Sequence, residues 1–192
     1  MIRPVGVDDW ANIRYVHSTA FRLLSASFST PNEIDAFTAF VRSETYAERL
    51  MWESMHAAWL DDELVGTAGW TPADDSGTQA RITSVFVRPL FTRAGIGLRL
   101  VRDAEARASA AGFERFSTRA TLNSVGFFEK LGYDVTSYGV HVVMGEQTMP
   151  VTYMRKRPAV VAPVLVAETS AKEHECAMPC AHATVDERLI DM

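Results

Sequence analysis

Apolar residues in the first part of the chain recur at helical spacing. Ile13, Val16, Ala20, Phe21 and Leu24 fall three and four residues apart, which predicts a helix with those side chains inward and Asp8 or Asp9 as its cap. Residues 1–5 ahead of it read as a short strand. Thr30-Pro31-Asn32-Glu33 combines a threonine cap, proline at the first helical position and glutamate at the third, so a second helix should run from there to about Val41. From Met55 the pattern changes to β-prone runs. Residues 55–60 and 65–70 flank the polar Asp61-Asp62-Glu63 and predict a hairpin. A loop at 72–77 leads to a third strand at 79–87, in which Ser84 and Phe86 should face opposite Thr83, Val85 and Val87. A long amphipathic helix follows. Ile96, Leu100, Ala104, Ala108 and Ala111 form its apolar stripe, Arg99, Arg102, Asp103, Glu105 and Arg107 its polar side, and Gly112 its stop. A strand at 114–119, a second helix ending at Gly132, and strands at 134–144 and 149–156 around Gly145-Glu146-Gln147-Thr148 complete the set. The expected class is α+β, a mixed sheet covered by helices.

The junction between the third strand and the long helix carries the first chemical signal. Pro89 cannot donate to a ladder, so the strand must end and turn there. Thr92-Arg93-Ala94-Gly95-Ile96-Gly97 then places two glycines at a helix start, where backbone N–H groups lack partners inside the helix. Such a turn suits an anion, phosphate above all. It matches neither the G-x-G-x-x-G dinucleotide fingerprint nor the Gly-Lys-Ser/Thr of a P-loop.

Composition narrows the remaining classes. With 192 residues, 47% of them hydrophobic, the chain can bury one substantial core. The net charge of −5 and the short basic cluster Arg155-Lys156-Arg157 argue against a nucleic-acid partner. Residues 1–4 do not open a signal peptide, and no apolar run reaches the roughly 18 residues of a membrane span. Cysteine is confined to the tail, which suits a reducing cytoplasm.

Three ordered segments together resemble the GNAT superfamily of acetyl-coenzyme A dependent N-acetyltransferases: Val87-Arg88-Pro89, the Gly95-Ile96-Gly97 turn with its helix, and Phe127-Phe128-Glu129-Lys130-Leu131-Gly132-Tyr133. The likeness covers about residues 1–157, taken as one acetyltransferase domain, with 158–192 as a C-terminal extension. It implies a central, mostly antiparallel sheet that splays beside Val85, Phe86 and Val87, with the pantetheine arm of acetyl-coenzyme A lying in the gap. It also implies that Thr92, Arg93, Ala94, Gly95, Ile96, Gly97 and Leu98 hold the pyrophosphate. A backbone N–H near Val87 would bind the oxyanion formed when an amine attacks the thioester, and Asn123 and Phe128 would border the coenzyme. The acceptor would be a small-molecule or peptide amine.

Two positions depart from the family pattern. Thr92 stands where arginine or glutamine is common, and Phe128 where a tyrosine often protonates the leaving thiolate. Phenylalanine has no proton to give. The candidates for general base are Glu44, Glu48, Glu53, His56 and Ser84, of which Glu44 and Ser84 are singled out; His17 and His141 are read as satisfied or exposed histidines, not catalytic ones. The four tryptophans are expected mostly in packing roles. A non-catalytic acyl-coenzyme A binding module is the rival reading, motivated by Phe128 and Thr92.

The tail differs in composition. Residues 158–166, rich in proline and valine, read as an extended arm that could add to an edge strand of its own sheet or of a second copy in a homodimer. His174, Cys176, Cys180 and His182 offer four zinc-type ligands in an unorthodox spacing, and a flexible tail is favoured over a metal site.

Overall fold

The computed structural model describes residues 1–75 and 77–156. The expected arm and the tail cluster of cysteines and histidines lie outside the described residues. In chain order the elements are β1 (Ile2–Pro4), α1 (Trp10–Leu24), α2 (Pro31–Arg42), α3 (Glu44–Met51), β2 (His56–Leu60), β3 (Glu63–Pro72), β4 (Gln79–Val87), α4 (Ile96–Ala110), β5 (Arg115–Ala120), α5 (Val125–Lys130), β6 (Tyr133–Met144) and β7 (Gln147–Lys156). The strands form one sheet in the order β1-β2-β3-β4-β5-β7-β6. Only the β4–β5 pair is parallel, because α4 lies between them in sequence and carries the chain back across the sheet.

Local chemistry explains most boundaries. Glu33 N–H donates to Thr30 Oγ1 at 3.3 Å and Glu33 Oε2 accepts from Thr30 N–H at 2.8 Å, the reciprocal box that starts α2. Asp61 and Asp62 both adopt left-handed φ, +46° and +64°, in the two-residue turn joining β2 to β3. The sequence pattern does not reveal α3. It is only eight residues long, half of them polar, and Ser43 starts it by accepting the Tyr46 N–H at 3.2 Å.

Helices cover both faces of the sheet. On one face α1–α3 bury Ile13, Val16, Phe21, Val41 and Tyr46 against Leu64, Met149 and Val151. On the other α4 and α5 bury Leu100, Val101, Ala104 and Phe128 against Val65, Ile82, Ala120 and Met154. A side chain such as Leu100, fully withdrawn from water, contributes about 1.5–3 kcal/mol.

Three expected orientations are corrected. Leu24 and Ala111 end up exposed, because the first closes the last turn of α1 and the second caps α4 just past its end, where the chain leaves the sheet. Glu105 is buried instead of solvated: Tyr133 Oη donates to its Oε1 at 2.7 Å, and Lys156 pairs with its Oε2. The alternation along β4 also breaks, at Ser84, with consequences for the site.

Candidate active site

The site is organised by a wedge in the sheet. β4 pairs with β5 only from Gln79 to Ile82, opposite Arg115 to Thr118, while β3 follows β4 as far as Val87. Beyond Ile82 β5 continues along β7, so the second half of β4 has a strand on one edge and a gap on the other. Arg88 N–H donates to Val65 O of β3 at 2.9 Å, so the N–H of the preceding Val87 points the opposite way, into the gap.

Inside the wedge β4 carries a bulge. Its register against β3 shifts between Thr67 and Gly69, and Ser84 takes a φ of +50°. A left-handed non-glycine residue costs about 1–2 kcal/mol, and specific bonds offset it here. Ser84 Oγ donates to Glu53 Oε2 at 2.6 Å, and Ser84 O accepts from Thr67 Oγ1 at 2.7 Å. Thr83 Oγ1 reaches the same Glu53 oxygen at 3.0 Å, so Thr83 and Ser84 converge on one carboxylate where strict alternation would part them.

Glu53 comes from the turn after α3. Its side chain is 2% exposed, and Arg49 Nε donates to its Oε1 at 3.1 Å. Gly69 makes room for it: a Cβ there would stand 3.2 Å from Glu53 Oε2.

A buried chain of hydrogen bonds supports the bulge from behind. Because Thr67 gives its only hydroxyl proton to Ser84 O, it must accept from His17 Nε2, 2.7 Å away. His17 Nδ1 is then the acceptor for Tyr46 Oη at 2.5 Å. That assigns a neutral imidazole with its proton on Nε2. Burial, then Arg49, hold the His17 pKa down to about 3, in keeping with the neutral form, and burial pushes the Tyr46 phenol up.

The start of α4 forms the second half of the site. Arg93 and Gly95 have φ of +61° and +77°, which curls the backbone ahead of the helix. The N–H groups of Ile96, Gly97 and Leu98 precede the first intrahelical bond, Arg99 N–H to Gly95 O at 3.1 Å. Nothing lies within 4 Å of where a Gly95 Cβ would be, so the cradle opens outward.

Comparison with known families settles what this arrangement belongs to. A sequence model of the acetyltransferase (GNAT) family matches residues 18–133, more than half of the chain. The chain belongs to the acetyltransferase (GNAT) family. No curated relative matches it. Among solved structures, a GCN5-related N-acetyltransferase from Rhodopseudomonas palustris superposes with a TM-score of 0.72 at 22% identity, covering 81% of this chain and 94% of that one. The PaiA N-acetyltransferase of Thermoplasma acidophilum, solved with coenzyme A, gives 0.61 at 17% identity, over 82% and 98%. An aminoglycoside 6′-N-acetyltransferase complexed with coenzyme A gives 0.56 at 19%, over 82% and 99%. At these identities the likeness is one of fold.

Within this GNAT domain the expected residues separate. Val85, Phe86 and Val87 line the free edge of β4, and Arg93 to Leu98 form the cradle. Thr92 turns inward, its Oγ1 donating to Pro89 O at 2.8 Å. Asn123 is occupied as well: its Oδ1 accepts from Thr121 Oγ1 at 2.7 Å, and its Nδ2 donates to Leu24 O at 3.3 Å. Phe128 is buried against Tyr133 and Phe127 in the α4–α5 core. Its neighbour Phe127 instead approaches the cradle, its ring 3.3 Å from where a Gly97 Cβ would be.

Of the acid–base candidates, Ser84 lies at the bulge and Glu44 does not. Glu44 is exposed in the first turn of α3, as is Glu48 one turn later. His56 faces α4, with Nδ1 3.1 Å from Asp103 Oδ2. Glu53 is the carboxylate that the fold delivers to Ser84. Its sequence signal was weak, since helix-end glutamates are usually solvated; the small Gly69 opposite was the only cue. Trp52 beside it is 83% exposed and packs in no core. Among the described residues no cluster of histidine, cysteine, aspartate and glutamate is placed to hold a metal, and no helix is long and apolar enough to cross a membrane.

Proposed function

We propose that this protein is an N-acetyltransferase that moves the acetyl group of acetyl-coenzyme A directly to a primary amine of a small molecule or peptide. The observation that carries the reading is the Ser84–Glu53 pair set at the β4 bulge, beside an unpaired strand edge and an open helix start. Acetyl-coenzyme A is the family's co-substrate. The α4 N–H groups and the helix dipole would take its pyrophosphate, contributing about 0.3–1 kcal/mol in an exposed setting. The free edge of β4 would pair with the pantetheine amides.

Catalysis then rests on three groups of this chain. The Val87 N–H, aimed into the gap, stabilises the oxyanion as the amine nitrogen bonds to the thioester carbon, a contribution of about 3 kcal/mol. Ser84 Oγ takes the amine proton while passing its own to Glu53, 2.6 Å away. The C–S bond breaks as the carbonyl reforms, and the thiolate takes its proton from solvent, since Phe128 offers none. With an ordinary thiol pKa near 8.5 this leaving group is serviceable at neutral pH. Holding amine and thioester together supplies much of the remaining rate.

Phe128 also favours the rival reading, a module that binds acyl-coenzyme A without turning it over. Thiol release measured with acetyl-coenzyme A and a panel of amines decides between them. The expected result is amine-dependent release that falls at least a hundredfold in Glu53→Gln; coenzyme binding with no release on any amine would sink the enzyme reading.

A further inference from the structure

Two arginines stand at the mouth of the wedge with no carboxylate partner among the described residues. Arg119 follows Thr118, the last β5 residue paired with β4, and Arg81 precedes Ile82 on β4 itself. Each alternates with a residue of the α4–α5 core, Ala120 and Ile82, so both side chains leave on the opposite face, the one α1–α3 cover. Tyr153 of β7 lies directly opposite Arg119 and leaves on the same face, since its neighbour Met154 is in the α4–α5 core. Gly139 on β6 gives its ring room, a Cβ there falling 2.9 Å from Tyr153. Arg119 Nη1 stands 3.0 Å from His141 Nδ1.

Glu53 is taken by Arg49, Thr83 and Ser84, and among the described residues no carboxylate pairs with Arg81 or Arg119. Burial, then Arg119, Arg49 and Arg81, hold His141 down to about 4, so it is a neutral acceptor for Arg119 near pH 7. Burial, then Arg49 and Arg81, also lower the Arg119 pKa, the mark of cations crowded together. In a chain of net charge −5 such crowding is a cost that a bound anion would remove. The coenzyme's pyrophosphate does not fill the role, because its cradle begins α4, which packs on the other face of the sheet.

We infer that the acetyl acceptor is an amine carrying its own oxyanion, a carboxylate or phosphate held by Arg119 and Arg81 with Tyr153, so that its amino group meets Ser84 and Glu53. This rests on the acetyl-transfer reading above. A guanidinium fork suits either oxyanion, through paired N–H donors.

The test compares amino acids with the amines left by removing their carboxylate, and with the corresponding aminophosphonates, in the thiol-release assay. The expected result is at least a tenfold preference in kcat/KM for the oxyanion-bearing member of each pair, reduced toward unity in Arg119→Gln and in Arg81→Gln. The carboxylate and phosphonate arms tell which oxyanion the site prefers. A preference for the decarboxylated amines, or one that survives both substitutions, overturns the inference and leaves acetyl transfer standing. If no amine is turned over, calorimetry of the coenzyme A complex with N-acetyl amino acids separates the two readings. Binding lost in Arg119→Gln supports the oxyanion site while acetyl transfer falls, and no binding to the unsubstituted protein overturns the oxyanion site too.

Discussion

The helix start at α4 and the bulge of β4 both flank the gap beside β4, yet they are built differently. The cradle is made from six consecutive residues, Arg93 to Leu98, and uses backbone N–H groups set by local φ values. The bulge depends on side chains far apart in sequence: Ser84 meets Glu53 across 31 positions, and Thr67 meets His17 across 50. Backbone chemistry can be written in a short motif. A side-chain constellation can be written only in the contacts among α1, α3, β3 and β4.

Substitutions in each region should sharpen that contrast. The largest effect is expected at Glu53. Glu53→Gln should lower kcat about 10²- to 10⁴-fold, with little change in the affinity for acetyl-coenzyme A measured by calorimetry; an unchanged kcat would place the proton acceptor elsewhere. Gly95→Glu should act the other way round. It puts bulk and negative charge where φ is +77°, and coenzyme affinity should fall tenfold or more, whereas equal affinity would move the anion site off α4.

Phe128→Tyr comes next and bears on the missing acid. Because Phe128 is 3% exposed and packed on Tyr133, a hydroxyl there would be buried, costing about 1–3 kcal/mol of stability without reaching the thioester. Thermal unfolding should show the loss while kcat stays within about threefold. A large gain in kcat would mean that residue 128 faces the coenzyme.

The smallest effect concerns pH. His17 has a folded-state pKa of about 3, below the 6.5 of the unfolded chain. Unfolding therefore takes up a proton below pH 6.5, so stability is complete above that value and falls as pH drops toward 3. His141, held at about 4, adds to the same trend, as does His56, lowered first by burial. The fully buried His17 contributes at most about 1.4 kcal/mol per pH unit. Urea unfolding at pH 7.5 and pH 5 should show the loss, smaller in His17→Gln; an equal loss in both would mean that the buried chain does not hold His17 neutral.

Legibility in the sequence followed the range of each interaction. The capping box at Thr30, the turn at Asp61-Asp62, the glycine stop at Gly112 and the strand end at Pro89 are all local, and each marks an element boundary where it was expected. The helix α3 escapes a reading of the pattern because eight residues are only about two turns, too short for the one buried pair Tyr46 and Leu50, four apart, to stand out from its surroundings. Glu105 was misjudged for a different reason: a charged residue beside the apolar stripe looks solvated until Tyr133 and Lys156 arrive from later in the chain. Between Phe127 and Phe128 no pattern could choose, since either can face inward until α5 is docked on α4.

The sequence by itself determined the family, the α+β architecture and the helix start that suits an anion, because hydrophobic period, turn residues and glycine placement act over a few neighbouring positions. The tertiary structure alone decided which carboxylate meets Ser84, that His17 is a neutral strut behind the bulge, and that Arg81 and Arg119 gather at the wedge with no carboxylate partner among the described residues. Those outcomes depend on distances of a few ångströms between residues tens of positions apart, which packing sets and no local pattern encodes.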